Sequence, residues 1–180
     1  VTGLERDPSL VALAREGARQ SGLDGRVAFV AGDAMDAATL LPGETDHVLV
    51  NPPYLDMTDG TASPHRGRRA AGHAEGIAVE DWVDAALSLL GRRGSVTLIH
   101  RADRLDRLIA ALTGRAGEIA VFPLWPRAGV PARRVLVQAR KGMRGGSRLL
   151  AGLVLHGGDG KYTGAAEAVL RDAAPLDLRN

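Results

Sequence analysis

The order of its apolar segments is the feature that most restricts how this 180-residue chain can fold. Three short segments have strand-like composition, at residues 1–5, 27–32 and 47–50. Between the first two lies a helical pattern, which begins at Pro8 and ends at Gly22. Apolar residues between positions 79 and 90 recur with helical spacing up to Gly91, a strand is expected at 94–100, and a further helix at 105–112. This alternation predicts a doubly wound α/β sheet.

The last third of the chain changes character. Three segments, "EIAVFPLW", "RRVLVQAR" and "LLAGLVLH", have strand-like composition with no helix between them, and a short helix at 163–171 follows. Strands joined without a crossover helix pair most simply as hairpins. We therefore expect antiparallel C-terminal strands on an otherwise α/β sheet.

Composition excludes several kinds of site. The chain has no cysteine, so disulfides, thiolate metal sites and cysteine catalysis are excluded, and its five histidines lack the spacing of metal ligands. The apolar runs are too short to cross a bilayer, and no signal-like start is visible. We expect no metal, no membrane contact and a cytoplasmic location.

Positive charge is unevenly distributed, although the formal net charge is only +2. Residues 119–157 contain no acid but seven basic residues, and a second basic cluster comprises Arg66, Arg68 and Arg69. Such clusters are either a solvated arginine-rich surface or a surface that binds phosphates. Charge alone does not decide between these two interpretations.

Polar residues follow three of the expected strands. Glu5 ends the first strand, Asp33 follows the second, and Asn51 follows the third. In a doubly wound sheet, ligands collect at the carboxyl ends of the strands. One such residue alone is usually a turn or cap, but three in register with three strand ends indicate a nucleotide-like ligand.

The third strand runs into "NPPY", residues 51–54. Pro52 and Pro53 cannot donate to a sheet, so they end the strand and stiffen the chain. Main-chain carbonyl oxygens and the Asn51 side-chain oxygen can then accept hydrogen bonds from one –NH2 group, while Tyr54 offers a ring for stacking. The alternative is a plain proline turn with a half-buried tyrosine.

Glu5, "GDA" (residues 32–34) and "NPPY", in this order, resemble the Rossmann-like amino-methyltransferases that use S-adenosylmethionine. "PHRGRRAAGHAEG", "LIHR" and "GKYTGAAEAVLRD" resemble the subgroup that methylates N6 of an adenine in a valine tRNA. The resemblance implies a class I methyltransferase domain over residues 1–180.

The same resemblance implies a role for each motif residue. Glu5 would bind the ribose of S-adenosylmethionine, Asp33 with Ala34 would bind its adenine, and Asn51 would also contact the cofactor. Asn51 and the Pro52 carbonyl would grip the target amine beside the methyl group, and Pro53 and Tyr54 would hold the target base. The substrate would be RNA, most simply tRNA, and its phosphates would lie on Arg66, Arg68 and Arg69.

The chain departs from this family at its start. The first strand and glycine-rich loop of the family should precede Val1, so the resemblance describes an N-terminally truncated domain. In the family that strand lies between those carrying Glu5 and Asn51. We expect both strands to lose a pairing partner, an apolar face to be uncovered, and this polypeptide to bind the cofactor poorly and to be inactive by itself.

Two other functions remain open on the sequence. A protein-glutamine N5-methyltransferase that acts on a release factor shares "NPPY", and a non-catalytic RNA-binding remnant would keep only the basic surface. The acid-free stretch at 119–157 favours RNA, since a protein loop would not need it. His100 and Arg101 end another strand, where lining the target cleft and a structural role are equally good interpretations.

Overall fold

The protein is described from a computed structural model, which covers residues 1–53 and 77–178. Its strands are β1 (Thr2–Glu5), β2 (Ala28–Ala31), β3 (Thr45–Val50), β4 (Leu90–Arg101), β5 (Ala116–Trp125), β6 (Arg134–Lys141), β7 (Arg148–Leu149) and β8 (Leu153–Val154). Its α-helices are α1 (Pro8–Gln20), α2 (Ala37–Leu40), α3 (Val79–Leu89), α4 (Leu105–Leu112) and α5 (Gly164–Arg171). Among these helices, none is both long and apolar enough to span a bilayer.

The strands form two sheets. β1 and β2 pair in parallel as a small sheet, and the larger sheet has the order β3-β4-β6-β5-β7, with β8 also on β5. β3 and β4 are parallel, whereas β6 is antiparallel to both β4 and β5. The predicted α/β class with a terminal antiparallel part is confirmed.

Among the described strands, β1 and β3 each keep an unpaired edge. Within the described residues β1 pairs only with β2 and β3 pairs only with β4, which agrees with the loss of pairing expected from the sequence. Apolar side chains are exposed on β3 and on α1, with Leu49 of β3 at 82% and Leu13 of α1 at 67% of full exposure. The smaller sheet and α1 therefore bury little apolar surface of their own.

Local sequence signals place α1 as expected. Asp7 lies in an extended conformation before the helix, and its Oδ1 accepts a hydrogen bond from the Ser9 backbone N–H at 2.8 Å. Pro8 occupies the first helical turn, where it removes no hydrogen bond. After the helix, Gly22 has φ +65°, a conformation in which a residue without Cβ is favoured.

The end of α3 differs from the sequence prediction. Gly91 does not end this helix, because the helix stops at Leu89 and β4 begins directly at Leu90. Gly91 lies inside β4 against the Glu44 side chain, where a Cβ would collide. Gly91 therefore belongs to the strand that pairs with β3. The helical pattern of the sequence does not contain this pairing.

The main hydrophobic core lies between one face of the large sheet and the helices α3 and α4. Its fully buried members include Val83, Leu98, Leu108 and Val137. A second, smaller cluster covers the other face. It comprises Ala120, Phe122 and Leu150, with Leu124, Leu136, Leu153, Leu176 and Leu178 packed against them.

The prediction that all the C-terminal strands are antiparallel is wrong for "LLAGLVLH". This segment forms β7 and β8, two short strands that both run parallel to β5. β6 already has β4 on one edge and β5 on the other, so it cannot accept a further hairpin partner. Residues 142–147 therefore cross the start of β5, where Met143 packs on Gly117, and the chain returns along the outer edge of β5.

Gly152, which separates β7 from β8, gives a stability prediction. Its φ is +81°, and a Cβ there would overlap the carbonyl oxygen of Pro123 and the Trp125 indole. We expect Gly152→Ala to lower the free energy of unfolding by about 2 kcal/mol or more, since the left-handed conformation alone costs about 1–2 kcal/mol. Urea denaturation measures the change.

Gly158→Ala is the matched control for this prediction, because a Cβ at Gly158 meets nothing within 4 Å. We expect its effect to stay within about 1 kcal/mol. Equal effects of the two substitutions would contradict the argument from backbone conformation.

Candidate functional site

Two carboxylates lie side by side at the carboxyl end of the small sheet. Glu5 pairs in register with Ala31, so Asp33 follows the neighbouring strand by two residues. Glu5 Oε1 accepts a hydrogen bond from the Asp7 N–H at 2.8 Å, and Asp33 Oδ1 accepts one from the Met35 N–H at 3.0 Å. Both carboxylates are thus oriented by backbone donors and remain partly accessible.

Ala34 begins a short 3₁₀ turn, Ala34–Asp36, for which Asp33 is the N-cap. No periodic pattern predicts this turn or α2 behind it, because each spans only three or four residues. Arg6 Nη1 lies 4.0 Å from Asp33 Oδ2, and both side chains are exposed enough that this ion pair contributes little to stability. The turn places Ala34 directly after Asp33 at the carboxyl end of the small sheet.

The Asn-Pro-Pro segment ends β3 as the prolines require. Asn51 follows Val50 directly and is exposed, Pro52 is fully buried, and Pro53 is partly buried. Because alternate residues of a strand face opposite sides, and Val48 and Val50 pack on the main core, Asn51 is assigned to the opposite face. A buried proline thus anchors an amide that reaches solvent.

The described site residues fall in two groups. Glu5, Asp33 and Ala34 lie together on the small sheet, and Asn51, Pro52 and Pro53 lie at the end of β3 in the large sheet. No ladder joins the two sheets within residues 1–53 and 77–178. Helix α3 connects them, since it packs against both the Ala34–Asp36 turn and β3.

Four predicted substrate-binding residues, Tyr54, Arg66, Arg68 and Arg69, lie outside the described residues. The roles assigned to them stay predictions. No group of three or more acids and histidines within the described ranges is arranged to hold a metal ion.

The two residues that end β4 have different environments. His100 is 7% exposed and faces the main core, so it does not line a cleft on the opposite face. Arg101 points to that opposite face and donates to Asp103 through Nε at 2.9 Å and Nη2 at 2.6 Å. The structure therefore separates two residues that the sequence alone treated alike.

Trp125 packs rather than presenting its ring freely. Its indole N–H donates to the Ala151 carbonyl oxygen at 3.0 Å, and its side chain is partly buried beside Gly152. Trp125 therefore packs on the segment between β7 and β8. Trp82 on α3 is also partly buried.

The Arg101–Asp103 pair gives a prediction about pH. The two hydrogen bonds from Arg101 hold the pKa of the Asp103 carboxyl below its ordinary value. A depressed folded-state pKa means that this pair contributes stability above the unfolded pKa, near 3.9, and loses it as the pH falls through the folded pKa. An NMR titration of the protein should give a midpoint below about 3.9 for Asp103.

Arg101→Gln is the control for this titration. Since the guanidinium is the largest cause of the shift, the Asp103 midpoint should rise toward the ordinary aspartate value in this variant. An unchanged midpoint would show that Arg101 does not set the pKa of Asp103.

Comparisons with known proteins agree with this geometry. The family UPF0020 (RMKL-like, methyltransferase domain) matches residues 1–65. The tRNA1(Val) (adenine(37)-N6)-methyltransferase of Actinobacillus succinogenes is 29% identical over 104 residues, which span 58% of this chain and 43% of the relative. The chain thus spans less than half the length of this curated relative.

Two solved structures carry the same fold. A predicted O-methyltransferase, protein Atu636 from Agrobacterium tumefaciens, has a TM-score of 0.76 at 26% identity and covers 98% of this chain and 79% of its own. TrmN from Thermus thermophilus has a TM-score of 0.51 at 25% identity, covering 78% of this chain and 36% of its own. The chain therefore resembles S-adenosylmethionine-dependent methyltransferases in sequence and in fold, as its motifs predicted.

Proposed function

We propose that this protein transfers a methyl group from S-adenosylmethionine to N6 of an adenine in RNA, with tRNA as the substrate class. The observation that carries the proposal is the solvent-facing Asn51 amide, fixed by the buried Pro52 at the carboxyl end of β3. The names of the curated relatives support the same reaction. An enzyme that modifies tRNA would act in the cytoplasm.

The residues at the small sheet fit the proposed cofactor. S-adenosylmethionine carries two ribose hydroxyls and an adenine amino group, which all donate hydrogen bonds. Glu5 and Asp33 are carboxylates, which accept them, and backbone N–H groups already orient both side chains. Bound there, the cofactor would supply an electrophilic methyl group on a positively charged sulfur.

Asn51 and Pro52 would position the nucleophile. The Asn51 side-chain oxygen and the Pro52 carbonyl oxygen would each accept a hydrogen bond from one N–H group of the target amine. This arrangement would leave the nitrogen lone pair directed at the methyl group. The cofactor would supply the methyl group for the new N–C bond, and the nitrogen would release one proton to solvent. Catalysis on this scheme is positioning and electrostatic stabilisation, with no strong general base.

Methyl transfer from labelled cofactor tests the proposal. The 180-residue chain, and a version that carries the family's first strand and glycine-rich loop before Val1, are each incubated with bulk tRNA and, separately, with a release factor. Digestion of labelled tRNA identifies the modified nucleoside. We expect label in N6-methyladenine of tRNA with the version that carries the glycine-rich loop. Label in the release factor alone would replace the proposal by glutamine methylation, and label in neither would support a non-catalytic RNA-binding protein.

A further inference from the structure

A cleft of about 450 Å³ lies at the carboxyl edge of the large sheet, and basic side chains line most of it. The lining residues are Arg101, Asp103, Ala132, Arg133 and Arg134. Three guanidinium groups and one carboxylate therefore face one cleft, which gives these side chains a formal charge of +2. None of these residues has a place in the proposed methyl-transfer step.

Two of the arginines are brought together by the ladder between β4 and β6. Arg101 and Arg134 are direct partners in this antiparallel pair, so their side chains emerge on the same face. A phosphate at this point would contact both side chains, because each guanidinium carries several N–H donors that match the oxygens of a phosphate.

The third arginine is held by the backbone. Arg133 ends the connection between β5 and β6, and its carbonyl oxygen accepts a hydrogen bond from the Ala102 N–H at 3.0 Å. That connection lies in the acid-free stretch 119–157, and among the described residues that line the cleft Asp103 is the one carboxylate. Asp103 accepts two hydrogen bonds from Arg101, which fix that side chain at the wall of the cleft.

The cleft lies close to Asn51 on the same face of the sheet. Val50 is in register with Leu98, so Asn51 falls beside Ile99, two residues before Arg101. The spacing of residues along a strand and of neighbouring strands puts the arginine backbones on the order of 10 Å from Asn51. An RNA adenine has a phosphate on each side at about this scale, whereas a glutamine side chain carries no obligatory anion.

We propose that Arg101, Arg133 and Arg134 bind a backbone phosphate of the RNA next to the target adenosine. The site would select a nucleic-acid substrate over a protein substrate. The identity of the target base in this proposal rests on the proposed function. Asp103 would act as a positioning residue, since it fixes the Arg101 side chain through two hydrogen bonds.

The test measures binding of a fluorescein-labelled single-stranded oligoribonucleotide by anisotropy, without cofactor, over about 50–200 mM salt. We expect the Arg133→Gln/Arg134→Gln double variant to lower affinity at low salt by about tenfold per arginine, because hydrogen bonds between charged groups are lost. The slope of log K against log salt should fall by about 0.7, since the three arginines are proposed to bind one phosphate and each phosphate neutralised on a single strand contributes about 0.7.

Two further variants separate binding from folding. Arg92→Gln removes an exposed arginine from the opposite end of β4, and it should leave both the affinity and the slope close to those of the unmodified protein. The Arg133→Lys/Arg134→Lys variant should keep the slope but lose part of the affinity, because lysine keeps the charge without the paired donors. Circular dichroism establishes that each variant is folded.

The outcomes distinguish this proposal from the proposed function. If the double variant binds RNA as the unmodified protein does, the phosphate site is wrong even when tRNA is methylated. If RNA binding depends on Arg133 and Arg134 but no methyl group reaches tRNA, the phosphate site stands and the proposed reaction fails. Loss of binding to a release factor, with RNA binding unchanged, would assign the arginines to a protein partner.

Discussion

Replacement of Asn51 by alanine, in the version of the chain that carries the family's glycine-rich loop, is expected to lower kcat for methyl transfer to tRNA by about 10²- to 10³-fold, the effect typical of removing one preorganised hydrogen-bonding group. The physical reason is that the alanine variant lacks the side-chain oxygen that would hold the target amine. Asn51 is exposed, so its loss should leave the free energy of unfolding nearly unchanged. Steady-state assays with labelled cofactor measure the rate.

The control for this prediction is Asp46→Asn, which changes an exposed polar residue on the same strand, β3, away from its carboxyl end. Its kcat should match that of the unmodified protein. The role of Asn51 would be contradicted if Asn51→Ala retained full kcat. A raised KM for the cofactor at unchanged kcat would instead assign Asn51 to cofactor binding alone.

Leu98→Ala should have the largest effect on stability. Leu98 is 0% exposed in the centre of β4, where it pairs with Val50 on one side and Val137 on the other. Its truncation leaves a cavity in the main core, and we expect the free energy of unfolding to fall by about 2–5 kcal/mol. Because β4 carries β3 as its ladder partner, the same change should also loosen the strand that presents Asn51.

Leu49→Ala supplies a matched comparison, since it is the same leucine-to-alanine change on β3. Leu49 directly precedes Val50, which pairs with Leu98. Leu49 is 82% exposed, so truncation there should change the free energy of unfolding by no more than about 0.5 kcal/mol. Urea denaturation of both variants measures the difference. Similar losses at the two positions would mean that Leu49 is covered in solution and that the unpaired edge of β3 is not exposed.

Much of the local structure follows from the sequence. Asp7 and Pro8 begin α1, Thr163 caps α5 through its Oγ1, and the two prolines after Asn51 end β3. Each of these effects acts between residues at most a few positions apart, so the order of residue types is enough to predict it. The same holds for the α/β alternation and for the three polar strand ends.

The candidate site could be predicted only in part. The motif residues Glu5, Asp33 and Asn51 can be predicted because each lies at or just after the carboxyl end of a strand. The facing arginines Arg101 and Arg134 were not paired by the sequence analysis, because they are 33 positions apart and meet only through the register of β4 with β6. A periodic pattern carries no information about which strands become neighbours.

The sequence by itself determined the elements, their caps and the rigid Asn-Pro-Pro turn, because short-range sterics and hydrogen bonding encode them. The tertiary structure decided that β6 enters between β4 and β5, that β7 and β8 therefore run parallel to β5, and that His100 is buried while Arg101 faces a cleft. These outcomes depend on which strand edges and apolar faces are already occupied, and that is a property of the packed chain as a whole.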